Sequence, residues 1–452
     1  MAIYDLVIEC VWGEIMNIVL LSGGSGKRLW PLSNDVRSKQ FIKFFKHNGQ
    51  YESMVQRVYR QIKEVNPNST ITIATSKSQV SAINNQLNDS VDICVEPCRR
   101  DTFPAIALAC SYLKTRKGIL PGDVVVVCPV DPYVNNDYYE CVQELNKLAL
   151  DSKNENIFLM GINPTLPSSK YGYIIPKSKD EISSVLEFKE KPTEEKAEEY
   201  IKQGALWNGG VFAFKLGYVL GIAKKVFGTD EYEELYANYV NLEKISFDYA
   251  VVEKEKSIGV LRFNGSWVDA GTWATLTDVM SENTIGDAQM DDTCENVHIV
   301  NELDVPIIAM GMKDVVISAS PDGILVADKE ASGNIKKYVD EIDREAMYAE
   351  KSWGCFKVID AEKDSLTIKV NIKPGDAMNY HSHQYRDEVW VVVSGRGKTL
   401  VDGMEQYIDV GDVITMKAGC RHMVTAITEL TLVEIQLGKE ITVHDKKKYP
   451  IE

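Results

Sequence analysis

Asn17-Ile18-Val19-Leu20-Leu21-Ser22-Gly23-Gly24-Ser25-Gly26-Lys27-Arg28-Leu29-Trp30-Pro31-Leu32-Ser33 starts as an apolar run and breaks into a glycine-rich turn with two cations. Asn17 to Ser22 reads as a buried strand. Glycines in the turn let main-chain N–H groups approach a phosphate closely, and Lys27 and Arg28 supply countercharge. Two familiar phosphate loops do not fit. A Walker A loop needs Gly where Leu21 stands and Ser or Thr where Arg28 stands, and a dinucleotide fingerprint needs Gly where Leu29 stands. The bland alternative is a turn that merely links a strand to a helix.

Outward from this turn, Asn17 to about Glu282 alternates short β-branched runs with amphipathic segments of helix length, which implies an α/β sandwich on a largely parallel sheet. Strands are expected at Asn17 to Ser22, Thr70 to Thr75, Val124 to Cys128, Ile157 to Ile162 and Gly210 to Phe214. Helices are expected at Ser53 to Val65, Pro104 to Arg116 and Asp137 to Leu150, the second with Thr102 as N-cap and Pro104 in its first turn. Between about Asn283 and Lys337, brief apolar runs broken by Asp, Pro and Gly predict a small strand-rich lobe. The charged stretch Ser332 to Glu350 reads as a connecting helix. From Tyr348 on, short strands with Gly-Asp and Asp-Gly turns (Gly375-Asp376, Asp402-Gly403, Gly411-Asp412) predict an all-β barrel or jelly roll. The expected organisation is therefore a leader over residues 1–15, an α/β domain over 16–282, the lobe and its helix over 283–347, and the barrel over 348–452.

The chain of 452 residues exceeds what one core accommodates. A net charge of -16 argues against nucleic acid or an anionic membrane surface as partner, while leaving room for a local basic phosphate pocket. No apolar run approaches the ~18–20 residues of a membrane span. The nine cysteines, an odd number and several in apolar runs, read as reduced packing residues in a cytoplasmic protein. Cys94 and Cys98 lack the second pair that a zinc site requires. The first 15 residues have no basic signal-peptide start, and Met16 directly precedes the first strand, so the leader reads as an over-extended start.

Ser22 to Ser33, followed by Ser38-Lys39-Gln40-Phe41, resembles the signature of mannose-1-phosphate guanylyltransferases, where Trp-Pro-Leu-Ser separates guanylyl enzymes from those making glucose nucleotides. The resemblance implies a Rossmann-like nucleotidyltransferase domain whose loop, with Leu21, Gly23, Gly24 and Gly26, binds a nucleoside triphosphate, and whose Arg28 and Lys39 neutralise its phosphates. Lys27 and Ser38 stand where Thr and Pro are usual. Glu96 to Ile106 resembles the segment over the base, with Glu96 and Thr102 as nucleotide contacts; Asp101 and Phe103 depart from the usual Asn and Ala, which puts base or sugar preference in doubt. Asp131, read alone a turn residue before Pro132, matches the family's first magnesium carboxylate, and Asp269 in Trp267-Val268-Asp269-Ala270-Gly271-Thr272-Trp273 its partner. Tyr171-Gly172-Tyr173, Glu190-Lys191-Pro192 and Trp207-Asn208-Gly209-Gly210 resemble the sugar-phosphate stretches: Lys191 for the phosphate, Glu190 and Asn208 for hydroxyls, Gly172 beside them. Singly, each of these has a bland reading as a turn or a solvated charge run.

Three of the six histidines, His381, His383 and His422, fall in the expected barrel. His381 and His383, two apart, share one strand face; Glu388 follows on the returning strand. With His422 they form a set suited to Zn²⁺ or another divalent transition metal. The spacing Gly375, His381, His383, Glu388, Gly395 resembles the first cupin motif; the second is partial, with Lys417 and Ala426 replacing the usual Pro and Asn. Glu388 to Gly397 resembles the isomerase half of bifunctional guanylyltransferase and mannose-6-phosphate isomerase proteins. Those isomerases typically carry a tail arginine, whereas no arginine follows Arg421 here, and Lys446 to Lys448 lack its planar fork.

The expected function is thus GDP-mannose synthesis from GTP and mannose 1-phosphate with Mg²⁺ on Asp131 and Asp269, Arg28, Lys39 and Lys191 offsetting phosphate charge. The cupin is either an isomerase for a hexose 6-phosphate or a non-catalytic metal module; assembly into a homo-oligomer stays open. Rival readings are the same transfer to another sugar 1-phosphate, a heptose or a deoxysugar, and a sugar-nucleotide sensor. A sensor has no need of two magnesium carboxylates.

Overall fold

The computed structural model describes residues 15–24, 26–34, 36–342, 345–439, 441–442 and 444–450. All of the expected leader but Ile15 lies outside the described residues. The chain divides into two compact units, one of Met1–Gly24, Gln40–Val80 and Gln86–Ser281, the other of Ser25–Lys39, Ser81–Asn85 and Glu282–Glu452. No helix among the described residues is long and apolar enough to cross a membrane. The eight described cysteines are free.

The first unit is built on a nine-stranded sheet. Its strands are β1 (Asn17–Ser22), β2 (Thr70–Ser76), β3 (Asp92–Glu96), β4 (Val124–Pro129), β5 (Ile157–Ile162), β6 (Tyr173–Pro176), β7 (Ile182–Lys189), β8 (Leu206–Lys215) and β9 (Ile258–Phe263), in the order β3-β2-β1-β4-β8-β5-β9-β7-β6. Every residue of β5, and all but the last of β4, is buried, which is why both read as continuous apolar runs rather than alternating ones. The sheet is mixed rather than largely parallel. Parallel pairing holds along β3-β2-β1-β4 and between β5 and β9, but β8 runs antiparallel to each of the three strands it pairs with, β4, β5 and β6. Periodicity shows that a strand is buried, not which way it runs, so this reversal was invisible in the sequence.

Helix Met54–Val65 opens on a capping box in which Ser53 and Gln56 each bond the other's backbone N–H. Helix Thr102–Tyr112 corrects the expected cap. Asp101, not Thr102, is the N-cap; it sits at φ 71°, its carboxylate accepting from Thr102 N at 2.8 Å. The Thr102 hydroxyl instead accepts from Phe247 N at 2.8 Å, so the side chain is committed to a tertiary bond. This α-helix stops at Tyr112, short of Arg116, and passes through the wider turn Leu113–Lys117 to Gly118 at φ 71°.

In the second unit, Thr284–Ile285, His298–Asn301 and Val315–Ser320 stack in parallel, and Gly323–Asp328 returns antiparallel. Val297, Ile299, Ala309 and Ile317 form its small core. The expected helix Ser332 to Glu350 is corrected: among the described residues of this stretch the helical pieces are a 3-10 turn, Ala331–Asn334, and one helical turn, Lys336–Val339, while Tyr348–Lys351 is a strand paired with Gly354–Ala361. Charge made the stretch look like a solvated helix, but the edge strand supplies its backbone with partners. That strand is the edge of a six-stranded antiparallel sheet, which with a five-stranded antiparallel sheet encloses one apolar core that includes Trp390, Val392, Leu430 and Leu432.

Candidate functional site

Parallel strands β2, β1 and β4 end level with one another. Leu21 pairs with Pro129, and Ser22 with Thr75, so the glycine turn and the approach to Asp131 leave the sheet side by side at its carboxyl edge. Open α/β sheets hold ligands at that edge. Gly23 and Gly24 are exposed, with no atom within 4 Å of where a Cβ would stand. A buried polar cluster supports the turn: Ser22 Oγ and Thr75 Oγ1 donate to Gln79 Oε1 at 3.0 and 2.6 Å, and Gln40 Nε2 donates to Ser22 Oγ at 2.9 Å. Gln40 belongs to the Ser38-Lys39-Gln40-Phe41 stretch without a role there, and Gln79 has no mark in the sequence; polar side chains in apolar surroundings only become meaningful once their neighbours are known.

The two aspartates are brought together by a short ribbon. Pro132–Val134 pairs antiparallel with Trp267–Asp269, which sets Asp269 opposite Pro132 and next to Asp131. Tyr171 lies within reach of both charges: burial first, then Asp269 and Asp131, push its hydroxyl up to about 12. Two neighbouring carboxylates suit a hard divalent cation with oxygen ligands. Tyr171, Trp207 and Trp267 wall this region, with ring centroids 4.7 to 6.4 Å apart.

Gly172, Glu190, Lys191 and Asn208 also converge. Asn208 N donates to Gly172 O at 2.8 Å, and a Cβ on Gly172 would lie 2.5 Å from Glu190 Oε2, 2.9 Å from Phe188 Cζ and 3.4 Å from Asn208 Cβ. Only glycine leaves that space. Lys191, at φ 46°, donates to Glu190 Oε1 at 2.5 Å. Desolvation opposes its charge, but Glu190 and Asp248 hold the ammonium above its ordinary range. Gly210, whose Cβ would sit 3.7 Å from Pro129, joins this cluster to the end of β4.

Asp248, missed in the sequence, is the added member. Its Oδ1 accepts from Asn208 Nδ2 at 2.7 Å, and burial, then Glu190, push its carboxyl up to about 7. The available signal was an acid within the apolar turn Phe247–Ala250. Glu96 is buried and accepts from Tyr239 OH at 2.7 Å; burial raises it above the ordinary carboxylate range. Both Glu96 and Thr102 therefore have protein partners. Gly26, Arg28 and Lys39 lie on Ser25–Lys39, part of the second unit. There Gly26 stands at φ 66°, with 2.9 Å between a would-be Cβ and Lys39 N, and Arg28 is exposed.

The barrel assembles the second cluster as expected. His381 pairs with His422 across strands, and one ligand atom from each of His381, His383, Glu388 and His422 lies within 4.8 Å of the others. All four side chains are buried. Glu388 Oε1 is 3.1 Å from His383 Nε2, and Oε2 is 3.1 Å from His422 Nε2. Each imidazole has Nδ1 against a main-chain carbonyl, of Asn379 for His381, Asp445 for His383 and Cys420 for His422. That leaves the Nε2 atoms facing inward, the arrangement of metal-bound histidines. Close as they are, His422 Nε2 and Glu388 Oε2 are buried without a hydrogen bond, which fits two ligands of one cation. Burial, then Lys446, pushes His381 down to about 2, so it is neutral and ready to ligate.

Arg386, Glu434 and Gln436 also belong to this cluster and stand outside the sequence motif. Arg386 Nε donates to Glu388 Oε1 at 3.1 Å. Gln436 faces Glu388 across strands, and Glu434 faces Trp390; burial, then Glu388, push Glu434 up to about 8. Both occupy the inward phase set by Leu430 and Leu432, so a polar pair in a buried alternation was the signal. A cavity of about 680 Å³ opens beside the cluster, bordered by His383, Tyr385, Gly419, Lys446, Lys447 and Tyr449 among others.

This fold and carboxyl-edge site define a nucleotidyl transferase. The family model described as nucleotidyl transferase matches residues 17–285, and the chain belongs to that family. A second model, mannose-6-phosphate isomerase C-terminal, matches residues 340–449. The chain is 27% identical to the mannose-1-phosphate guanylyltransferase of Salmonella montevideo, covering 95% of this chain and 98% of that one. It is 28% identical to the mannose-1-phosphate guanylyltransferase of Escherichia coli strain K12, over 95% and 97%. Among solved structures it resembles one described as mannose-1-phosphate geranyltransferase from Thermus thermophilus, with a TM-score of 0.62, 25% identity, and coverage of 73% of this chain and 99% of that one.

Proposed function

We propose that the chain is a mannose-1-phosphate guanylyltransferase, joining GTP and mannose 1-phosphate to give GDP-mannose and pyrophosphate. The observation that supports this reading most is the pairing of Pro132–Val134 with Trp267–Asp269, which brings two carboxylates within reach of Tyr171, the residue before Gly172. The names of relatives spanning nearly the whole chain support the choice of sugar and base. A phosphate oxygen of the sugar phosphate attacks the α-phosphorus of GTP; the new O–P bond forms as the bond to the β-phosphate bridging oxygen breaks, and pyrophosphate leaves. The nucleophile is already anionic, so alignment and charge neutralisation carry the rate.

In this reading Asp131 and Asp269 hold Mg²⁺, which when bound neutralises and orients phosphate oxygens. Lys191 binds the sugar's phosphate, Glu190 and Asn208 its hydroxyls, and Gly172 leaves them room. Leu21, Gly23, Gly24, Gly26, Glu96 and Thr102 serve the nucleotide, with Arg28 and Lys39 as phosphate cations by their match to the family's loop. The test is incubation with Mg²⁺, each nucleoside triphosphate and a panel of sugar 1-phosphates, reading pyrophosphate. Fastest release with GTP and mannose 1-phosphate is expected; none with any pair refutes the reading, and preference for a heptose or deoxysugar 1-phosphate changes the substrate.

For the cupin, the inward Nε2 atoms and the cavity edged by Lys446 and Lys447 support Zn²⁺ or a similar divalent ion with a hexose 6-phosphate, and thus mannose-6-phosphate isomerase activity. The metal when bound polarises the sugar's oxygens. A coupled assay with mannose 6-phosphate on wild type and the His381→Ala, His383→Ala double variant tests this. Turnover untouched by the variant refutes a metal-dependent isomerase.

A further inference from the structure

Two of the three inward-facing imidazoles are held by main chain just ahead of their own strands. The Nδ1 partners of His381 and His422 are the carbonyls of Asn379 and Cys420, each two residues away. The partner of His383 is the carbonyl of Asp445, 62 residues away. Asp445 does more than accept that bond. Its carboxylate oxygens accept from Gln384 N at 2.8 Å and Tyr385 N at 3.0 Å, clamping the turn directly after His383.

The rest of the segment is stitched to the same strand. Lys447–Lys448 pairs antiparallel with His381–Ser382, and Tyr449 N donates to Tyr380 O at 2.9 Å. Ser382 Oγ and Tyr449 OH are 3.0 Å apart, and Arg421 stacks 4.2 Å over the Tyr449 ring. At the other end Arg386, already bonded to Glu388, donates to Thr442 O at 2.9 Å.

Building on the proposed cupin metal, we infer that Asp445 is a positioning residue for it, and that Thr442 with His444–Tyr449 acts as a strap whose docking and metal occupancy are coupled. A metal on His383 Nε2 requires the proton on Nδ1, and the Asp445 carbonyl supplies its acceptor. Loss of the carboxylate clamp unties Asp445 from that turn and so loosens its carbonyl from Nδ1, and His383 then spends part of its time rotated out of the ligand set. Coupling is reciprocal: if the docked strap favours metal, bound metal favours the docked strap by the same factor.

The test compares wild type, Asp445→Ala and Asp445→Asn as full chains. Zn²⁺ affinity is measured by competition with a chromophoric chelator, and amide exchange of residues 444–449 is followed with and without Zn²⁺. Removing such an outer partner typically weakens metal binding about 10–100-fold. Asp445→Ala is expected in that range and Asp445→Asn, which keeps one acceptor oxygen, between it and wild type. Zn²⁺ should slow exchange in the strap of wild type and slow it less in Asp445→Ala. The absorption spectrum of Co²⁺-loaded Asp445→Ala should show a changed ligand set. Equal affinities across the three chains, or strap exchange indifferent to Zn²⁺, overturns the inference. Wild type that binds no divalent metal at all refutes the metal reading itself.

Discussion

Gly172→Ala adds one methyl group to the most crowded point of the proposed sugar site. The new Cβ would meet Glu190 Oε2 at 2.5 Å and Phe188 Cζ at 2.9 Å, so both must move. A carboxylate at the end of a flexible side chain ordinarily swings away at little cost. Here Glu190 is held by Lys191 Nζ at 2.5 Å, and its own N donates to Glu253 Oε1 at 3.2 Å. Overpacking of this kind costs about 1–3 kcal/mol, and the partial freedom of Glu190 places the variant at the low end, a loss of about 1 kcal/mol in chemical denaturation. The functional loss should be larger. Displacing Glu190 draws Lys191 with it, and a misplacement of ~1 Å at a reacting group costs on the order of 10²-fold. With pyrophosphate release as the assay, kcat/KM for mannose 1-phosphate should fall on the order of 10²-fold while KM for GTP moves by less than about threefold. A variant that keeps wild-type kcat/KM for the sugar phosphate, yet folds, would refute the placement of Glu190 and Lys191 at the sugar.

Asp131→Asn and Asp269→Asn each remove charge from the paired ribbon; kcat should fall on the order of 10²–10³-fold, measured across an Mg²⁺ titration, and full activity in either refutes the cation site. Saturating Zn²⁺ at about 100 times its Kd should stabilise the barrel by about 2.7 kcal/mol, and the His381→Ala, His383→Ala double variant should show no such gain in a thermal melt. Asp248 titrates at about 7 in the fold, against an ordinary value of 3.8, so the folded chain holds the proton more tightly than the unfolded one. Its contribution is full below about pH 4 and is lost as pH rises through about 7; Asp248→Asn should therefore gain on wild type in melting temperature between pH 5 and pH 8, and a flat difference would contradict the burial.

Much of the catalytic half was legible because its residues sit in short contiguous motifs whose spacing reflects local geometry. Gly23 and Gly24 follow a strand whose apolar run marks it as buried, and His381 and His383 share a face because strand side chains repeat every second residue. The Thr102 cap failed for a reason of the opposite kind: the hydroxyl that a local rule assigns to its own helix was claimed by Phe247, far along the chain. Asp248 was passed over likewise, because nothing near it in sequence hints at Asn208.

The sequence by itself determined the domain types, the glycine turn and the histidine set, since buried periodicity and motif spacing are properties of single segments. Only the tertiary structure decided that β8 runs against its neighbours, that Pro132–Val134 pairs with Trp267–Asp269, and that Asp445 returns to hold His383. The physical reason is that hydrogen bonds and close packing join residues by distance in space, and the entropy of closing a long loop grows so slowly with its length that distant partners are nearly as available as near ones.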